Sequence, residues 1–390
     1  MIAKNRKLRT FEASQELFSA QAFVGSALDR LKSASVTERG AVFTRCEVVD
    51  FMLDLIGYTS DRPLWKMRLL EPSFGGGEFL LNALKRLLKS AARESVNLDQ
   101  LREAICAVEL HQETFEGTKT KVLSMLRDAG ASKSEASALA NQWLNNEDFL
   151  LAPLEGRFHF VIGNPPYVRQ ELIPAEMLAE YRRRYVTLYD RADLYVPFME
   201  RSMKLLYQHG RLSFICSDRW MKNRYGGPLR QMIADSYTMR YYVDMVGTAA
   251  FQSEVVAYPA ITVIERGKSD QKVRIAHQPE ITPDALSYLC RALKGEPSGF
   301  NGTVSELASV PKGDEPWLLE SDAQPSLDLV RRLEAAFPTL EQAGCVVGIG
   351  VATGADKLFI APLDDLDVED ERKLPLATTR DILSGEVQWR

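Results

Sequence analysis

The sequence predicts an α/β protein built on a doubly wound, mostly parallel sheet. Short apolar runs typical of buried strands alternate with stretches in which apolar residues recur every three or four positions, as in amphipathic helices. Strands that alternate with helices are joined by crossovers, which make neighbouring strands parallel. One late β pattern, residues 255–265, contains Pro259 and predicts a hairpin or edge strand, and therefore an antiparallel addition to the sheet.

The composition is that of an ordinary globular chain. Its 390 residues, 45% apolar and 26% charged, are enough for two or three domains with a sizeable core. No apolar run approaches the roughly 20 residues of a membrane span, and no signal peptide is evident. Five scattered cysteines and four dispersed histidines predict a cytoplasmic protein without disulfides or a metal site. The net charge of −5 does not indicate nucleic-acid binding, although an acidic total can contain a basic patch.

The most informative stretch is a largely apolar run, residues 158–162, followed by a stiff corner. Pro165 and Pro166 lack backbone donors and end the predicted strand, and the first of them keeps Asn164 extended. The side-chain oxygen of Asn164 and the carbonyl of Pro165 are two fixed acceptors, which suit an exocyclic amino group with two N–H donors. Tyr167 can stack on the base that carries this amine. The alternative is a simple Pro-Pro turn that ends a strand.

A second informative stretch, residues 68–79, predicts a strand, a glycine-rich turn and a helix. Gly75 and Gly77 lie in the turn, and such a turn brings backbone close to a nucleotide-like ligand at a helix N-terminus. The dinucleotide fingerprint needs a third glycine where this chain has Leu80, and the Gly-Lys-Ser/Thr of a phosphate-binding loop is absent. The alternative is a tight strand-to-helix connection without a ligand.

Polar side chains at three further positions are candidate ligand contacts. Glu109 ends a predicted strand at 104–108, where an acid can bind the two hydroxyls of a ribose. Asp148 can accept a hydrogen bond from an adenine amino group, and the neighbouring Phe149 can cover the ring. The alternative is an acidic loop with one buried phenylalanine. Thr44 precedes a helical pattern, where its simplest role is that of an N-cap.

The chain divides into segments of different composition. Residues 1–40 are polar and predict an N-terminal helical extension, and residues 41–267 contain the predicted α/β domain. Residues 268–345 are more polar and rich in proline, and they predict a linker or accessory segment.

Together the motifs resemble those of the gamma-class N6-adenine DNA methyltransferases of restriction–modification and phage-defence systems. The resemblance covers roughly residues 40–265 and a short block near 346–361. The catalytic motif matches at Asn164, Pro165, Pro166 and Tyr167. The S-adenosylmethionine loop matches at Glu71, Pro72, Gly75 and Gly77. Other cofactor-binding motifs match at Glu109, Asp148 and Phe149, and Thr44 matches the motif before the loop. Phe251 is similar to the aromatic that holds the extruded base.

The resemblance implies a seven-stranded sheet of the S-adenosylmethionine-dependent methyltransferase type, with a late antiparallel hairpin. It also implies S-adenosylmethionine as cofactor, double-stranded DNA as partner and no metal. The expected reaction is direct methyl transfer to N6 of a flipped adenine, in the modification part of a restriction–modification or phage-defence system. The same catalytic motif also occurs in protein-glutamine and RNA methyltransferases. A non-catalytic subunit that retains the fold is a further alternative.

The sequence departs from the family pattern in several places. Arg45 follows Thr44 where proline is usual, the loop is unusually rich in glycine, and the spacing from Glu109 to Asp148 predicts a helical insertion. Residues 346–390 predict only the beginning of a target-recognition domain, so a separate specificity domain or subunit is an expected partner. The predicted DNA-facing patch is modest and consists of Arg182, Arg183, Arg184, Arg191, Lys222 and Arg224.

Overall fold

A computed structural model describes residues 43–252 and 258–319, together with parts of the stretch 329–385. The predicted helical extension, residues 1–40, lies outside the described residues, as do 347–352 of the expected recognition block. The chain divides into two compact units, Met1–Gln324 and Pro325–Arg390.

Within the described residues, the first unit is built on one nine-stranded sheet. In chain order the strands are β1 (Leu69–Glu71), β2 (Ile105–Val108), β3 (Leu144–Asn145), β4 (Phe158–Gly163), β5 (Leu206–Ser217), β6 (Tyr237–Asp244), β7 (Pro259–Arg266), β8 (Val273–His277) and β9 (Ser305–Leu307). Their order across the sheet is β3-β2-β1-β4-β5-β7-β6-β8-β9. The α/β prediction is confirmed, but the expectation of seven strands is wrong.

Strands β8 and β9 lie within residues 268–345, the segment predicted as a linker or accessory segment. Strand β8 pairs in parallel with β6, and β9 pairs antiparallel with β8, so this region extends the sheet. Both strands are short, and prolines and polar residues flank them. They therefore lack the long apolar pattern by which a strand is recognised in sequence.

The late antiparallel strand is confirmed, although it is not at an edge. Strands β1 to β5 are parallel, whereas β7 pairs antiparallel with both β5 and β6 and lies inside the sheet. Pro259 is tolerated there because it is the first residue of β7, where the missing N–H interrupts only the end of the ladder. Its carbonyl still accepts a hydrogen bond from the Met245 N–H at 2.9 Å.

Helices cover both faces of the sheet. In the first unit they are α1 (Cys46–Ile56), α2 (Glu78–Arg93), α3 (Gln112–Asp128), α4 (Lys133–Trp143), α5 (Ala175–Arg184), α6 (Tyr195–Lys204), α7 (Arg219–Lys222), α8 (Gly227–Ser236) and α9 (Pro283–Lys294). Helices α3 and α4 form the helical insertion predicted between Glu109 and Asp148. A short helix, α10 (Asp356–Phe359), lies in the second unit. None of the helices in the described residues has the length and apolarity needed to cross a membrane.

In the part of the chain that the structure describes, the core consists of two clusters of buried residues. Leu69 and Ile162 belong to one cluster, whereas their chain neighbours Leu70 and Val161 belong to the other. Successive residues of a strand point to opposite faces, so each cluster fills one face of the sheet. Helices α1 to α4 and α9 contribute to the first cluster and α5 to α8 to the second. A sheet covered on both faces is the doubly wound arrangement that the sequence predicts.

Candidate active site

The predicted motifs meet at the edge of the sheet that is formed by the carboxyl ends of its parallel strands. Strands β2, β1 and β4 are adjacent and parallel, so their carboxyl ends lie side by side. The glycine loop follows β1, Glu109 follows β2, and Asn164 follows β4. The loop lies close to the corner that follows β4, because a Cβ built on Gly163 would lie 3.6 Å from Cδ of Pro72. This edge is where open α/β sheets bind their ligands.

The loop after β1 is held by contacts to its backbone. The Gly75 N–H donates to Oε2 of Glu109 at 2.9 Å, and the Thr118 hydroxyl donates to the Gly75 carbonyl at 2.8 Å. Lys121 Nζ donates to the carbonyl of Gly76 at 2.9 Å. Thr118 and Lys121 both lie on α3, so that helix and the acid after β2 fix the loop from outside.

The two predicted glycines of the loop have different surroundings. Gly75 has a φ of +48°, and a Cβ built there would meet no heavy atom within 4 Å. Gly77, the N-cap residue of α2, has a φ of +94°, and its Cβ would lie 2.9 Å from Cγ2 of Thr118. Both conformations favour glycine. Gly75 thus borders open space, whereas Gly77 is required by the packing of α2 against α3.

Glu71 is a buried carboxyl group in the centre of this edge. Its side chain is 1% exposed, and Oε2 has no hydrogen-bond partner among the described residues. Burial, followed by the charges of Glu78 and Glu109, raises the pKa of Glu71 well above its ordinary value. A buried carboxyl group without a partner is costly unless a ligand supplies one. The site therefore favours a ligand with a positive charge or an N–H donor near Glu71.

Glu109 occupies the place expected of a ribose-binding acid, but it also has a structural task. In addition to Gly75, its carboxylate accepts from the His111 N–H at 2.8 Å through Oε1. The Asn146 side chain donates to the Glu109 carbonyl at 2.8 Å. Each carboxylate oxygen can accept further hydrogen bonds, so these contacts orient the group without saturating it.

Asp148 and Phe149 lie in a buried turn, where their side chains have protein partners. Asp148 accepts from the Leu150 N–H at 2.7 Å and from the hydroxyl of Tyr181. Burial raises the pKa of Asp148, and the hydrogen bond from Tyr181 opposes that shift. The Phe149 ring is 2% exposed and packs against Phe198 at a centroid distance of 5.0 Å. That ring forms part of the core.

The corner at residues 164–167 brings together residues that are distant in sequence. Asn164 Nδ2 donates to Thr44 Oγ1 at 3.2 Å, and Thr44 forms an antiparallel β-bridge with Phe251. Thr44 is not an N-cap, because Arg45 occupies that position before α1 and makes no side-chain capping bond. Thr44 is 1% exposed, whereas Asn164 and Phe251 are half-buried. The corner therefore carries an amide, a hydroxyl and an aromatic ring within one small volume.

Tyr167 completes the corner on the side of β5. Its hydroxyl donates to the carbonyl of Ile215 at 3.4 Å, and its ring lies 6.4 Å from that of Tyr195. The Tyr195 and Tyr225 hydroxyls are hydrogen-bonded at 3.0 Å. Burial raises the pKa of Tyr167 well above its ordinary value, so the phenol stays protonated. The ring is thereby held in place from its hydroxyl end.

Much of the predicted basic patch is engaged within the protein. Arg183 and Arg184 both form ion pairs with Glu180, at 2.7 Å and 2.6 Å. Arg182 donates to the side chain of Gln170 at 2.7 Å. One carboxylate thus pairs with two of these guanidinium groups and an uncharged amide contacts the third, so these contacts compensate only part of the positive charge. Within the described part of the chain, no group of three or more histidine, cysteine or acidic residues is arranged to hold a metal ion.

Comparison with known proteins shows which families the chain resembles. The family described as Eco57I restriction-modification methylase matches residues 79–251, from the start of α2 to Phe251. Type II methyltransferase M.PaeR7I of Pseudomonas aeruginosa is 59% identical over 356 residues, which are 90% of this chain and 62% of that protein. Type II methyltransferase M.XhoI of Xanthomonas vasicola is 49% identical over 360 residues, 90% of this chain and 66% of that protein.

The chain is similar to restriction–modification methylases over most of its length. The crystal structure of the type I restriction enzyme EcoKI M protein matches it with a TM-score of 0.50 at 13% identity, over 78% of this chain and 73% of that one. Such a likeness concerns the fold. The chain spans less than two thirds of the length of M.PaeR7I and M.XhoI.

Several residues of the candidate site could not be identified from the sequence. Thr118 and Lys121 support the glycine loop, and Tyr181 holds Asp148. Each of these residues contacts a partner more than 30 positions away in the chain, and the shortest separation, between Tyr181 and Asp148, is 33 positions. Local spacing carries no information on such pairs, because they depend on how α3 and α5 pack.

Proposed function

We propose that this chain carries the catalytic part of a DNA adenine-N6 methyltransferase that uses S-adenosylmethionine. One observation carries the proposal: the glycine loop with its acids and the amide corner of Asn164 open at the same edge, with Gly163 against Pro72. A methyl donor bound along the loop and an amine bound at the corner would then be neighbours. The names of M.PaeR7I and M.XhoI, type II methyltransferases, support the same activity.

The residues of the loop fit S-adenosylmethionine. This molecule carries an ammonium and a sulfonium group, and Glu71 offers a buried carboxyl oxygen that has no partner among the described residues. Gly75 borders open space and allows the backbone to approach the ligand. We assign the ribose hydroxyls to Glu109 and the adenine amino group to Asp148. Since the Phe149 ring is buried, we assign any contact of Phe149 with adenine to its backbone rather than its ring.

S-adenosylmethionine supplies an electrophilic methyl group when it is bound. For the substrate, we propose that the adenine leaves the DNA duplex and enters the corner, since its N6 cannot be reached inside the base stack. Asn164 Oδ1 and the Pro165 carbonyl then accept from the two N6 hydrogens, which turns the nitrogen lone pair towards the donor. Tyr167 and Phe251 hold the ring. Transfer of the methyl group would form the N6–methyl bond and break the methyl–sulfur bond, and N6 would then lose a proton to solvent.

The residues contribute by position rather than by forming a covalent intermediate. The amide and the carbonyl are neutral, and neither is a strong base. Holding the amine in line with the methyl group can still supply much of the rate, since well-aligned reactants are worth roughly 7–11 kcal/mol in favourable cases. Recognition of a particular DNA sequence needs several side chains that reach base edges. We propose that a further domain or subunit contributes these contacts.

Transfer of a labelled methyl group to nucleic acid tests the proposal. We expect the protein to label duplex DNA, and the label to be recovered as N6-methyladenine after digestion. A duplex in which N6-methyladenine replaces adenine tests whether N6 is the target atom. RNA of the same sequence and an unmodified protein extract serve as alternative substrates. The Asn164→Ala variant is the control for the site. Label that appears in protein or RNA but not in DNA would contradict the assignment.

A further inference from the structure

The contact between Thr44 and Asn164 links two motifs that lie 120 positions apart in the chain. Family resemblance places Thr44 among the cofactor-binding residues, but its Oγ1 lies 3.2 Å from Nδ2 of the catalytic amide. We propose that Thr44 is a positioning residue for methyl transfer, whose hydroxyl fixes the orientation of the Asn164 amide. The effect on methyl transfer rests on the proposed function. The fixed orientation of the Asn164 amide rests only on the hydrogen bond.

The orientation of the amide decides what the corner offers to a substrate. An asparagine side chain presents an acceptor on one side and two donors on the other. With Nδ2 directed at Thr44, Oδ1 is turned to the opposite side, where it can accept from an amine. Rotation of the amide by half a turn would present N–H donors to the N–H donors of the substrate, and that pairing is repulsive. A fixed acceptor on Nδ2 therefore selects the productive orientation before the substrate arrives.

Thr44 is itself held from both sides, as a positioning residue must be. The Arg45 N–H donates to the Ala250 carbonyl at 3.0 Å, and the Gln252 N–H donates to the Phe43 carbonyl at 2.9 Å. These bonds flank the β-bridge between Thr44 and Phe251. On its other side Thr44 leads into α1, whose apolar residues lie in the core. The Thr44 side chain is 1% exposed, so little water competes for its hydroxyl.

The bridge also connects the amide to the aromatic ring proposed to hold the adenine. Thr44 and Phe251 face each other across the bridge, and Thr44 contacts Asn164 through its side chain. The group that orients the amine and the group that holds the ring therefore share one support. A pure cofactor ligand at position 44 would not need this arrangement. The placement of Thr44 accordingly favours a role in aligning the substrate.

The first test measures the hydrogen bond without cofactor or DNA. In protein labelled with 15N at asparagine, the side-chain amide resonance that disappears in Asn164→Asp identifies Nδ2. We expect Thr44→Val, which keeps the shape of the side chain, to shift this resonance and to speed the exchange of its protons with water. Thr44→Ser retains the hydroxyl and should leave both near the wild-type values. A resonance that Thr44→Val does not change would overturn the inference.

The second test measures catalysis and cofactor binding separately. We expect Thr44→Val to lower kcat about 10- to 100-fold, because a misplaced reacting group costs about that much. The KM for DNA, the calorimetric Kd for S-adenosylmethionine and the melting temperature should stay close to wild type, and Thr44→Ser should restore most of kcat. A weakened Kd with unchanged kcat would make Thr44 a cofactor ligand and overturn the inference. A wild-type protein that methylates no DNA would refute the proposed function instead, while the amide resonance would still decide the contact.

Discussion

Replacing Gly75 and Gly77 by alanine, one at a time, should separate cofactor binding from folding. At Gly75 the new methyl group meets no heavy atom within 4 Å, so the cost is that of a left-handed backbone, about 1–2 kcal/mol. At Gly77 the methyl group lies 2.9 Å from Thr118 and 3.2 Å from Leu81. Overpacking of this kind adds about 1–3 kcal/mol. We therefore expect Gly77→Ala to lose about 2–5 kcal/mol of stability in total.

The effect on cofactor affinity should be larger at Gly75, where the effect on stability is smaller. Gly75→Ala places a methyl group in the open space that we assign to S-adenosylmethionine, and we expect its Kd to rise at least about tenfold, which is 1.4 kcal/mol. Gly130→Ala is the matched control, because Gly130 has a φ of +96° and an equally open Cβ position at the far end of α3. Thermal unfolding and titration calorimetry measure the two quantities. The reasoning is refuted if Gly75→Ala binds the cofactor as tightly as Gly130→Ala does.

Four further outcomes are expected from the site and its surroundings. Asn164→Ala should abolish methyl transfer in the labelling assay and leave the calorimetric affinity for S-adenosylmethionine unchanged. Tyr167→Phe should keep substantial activity, whereas Tyr167→Ala should lose far more, and equal losses would contradict a stacking role. Because the pKa of Glu71 is raised, binding of the cationic cofactor should release a proton. Cofactor affinity should then increase as the pH rises above the ordinary glutamate pKa of 4.5, and Glu71→Gln should remove that increase. Arg183 and Arg184 lower the pKa of Glu180 from 4.5 to about 2. The stability advantage of wild type over Glu180→Gln, about 0.5–1 kcal/mol, should be complete above the unfolded pKa and fall as the pH drops from 4.5 towards 2 in denaturant titrations.

Local signals in the sequence predict those parts of the fold that local chemistry decides. Proline at positions 165 and 166 ends β4 where expected, and glycine in the loop after β1 marks the turn into α2. Pro228 begins α8 in its first turn, as proline commonly does. Each of these features depends on the backbone preference of one or two residues. They are therefore visible before any tertiary contact is known.

Features decided by the order of strands could not be predicted in the same way. A proline in a β pattern predicts an edge strand, yet β7 is an inner strand because Pro259 is its first residue. The short strands β8 and β9 take their place by pairing with β6 and with each other, and their own sequences predict little. Sheet order reflects the packing of the whole domain, and hydrophobic periodicity does not encode it.

The candidate site contains features that the sequence predicts and features that depend on tertiary packing. Strand ends place the acid of Glu109 and the amide of Asn164 at the same edge, which the alternation of strands and helices is sufficient to predict. Which partners these side chains take depends on contacts over long sequence distances: Thr44 reaches Asn164 across 120 positions, and Thr118 reaches Gly75 across 43. A motif thus identifies the groups that act on the ligands, and the packing of α1 and α3 against this edge determines how those groups are oriented. Variants that change only the supporting contacts should accordingly alter the rate or the affinity while every residue of the motifs is intact.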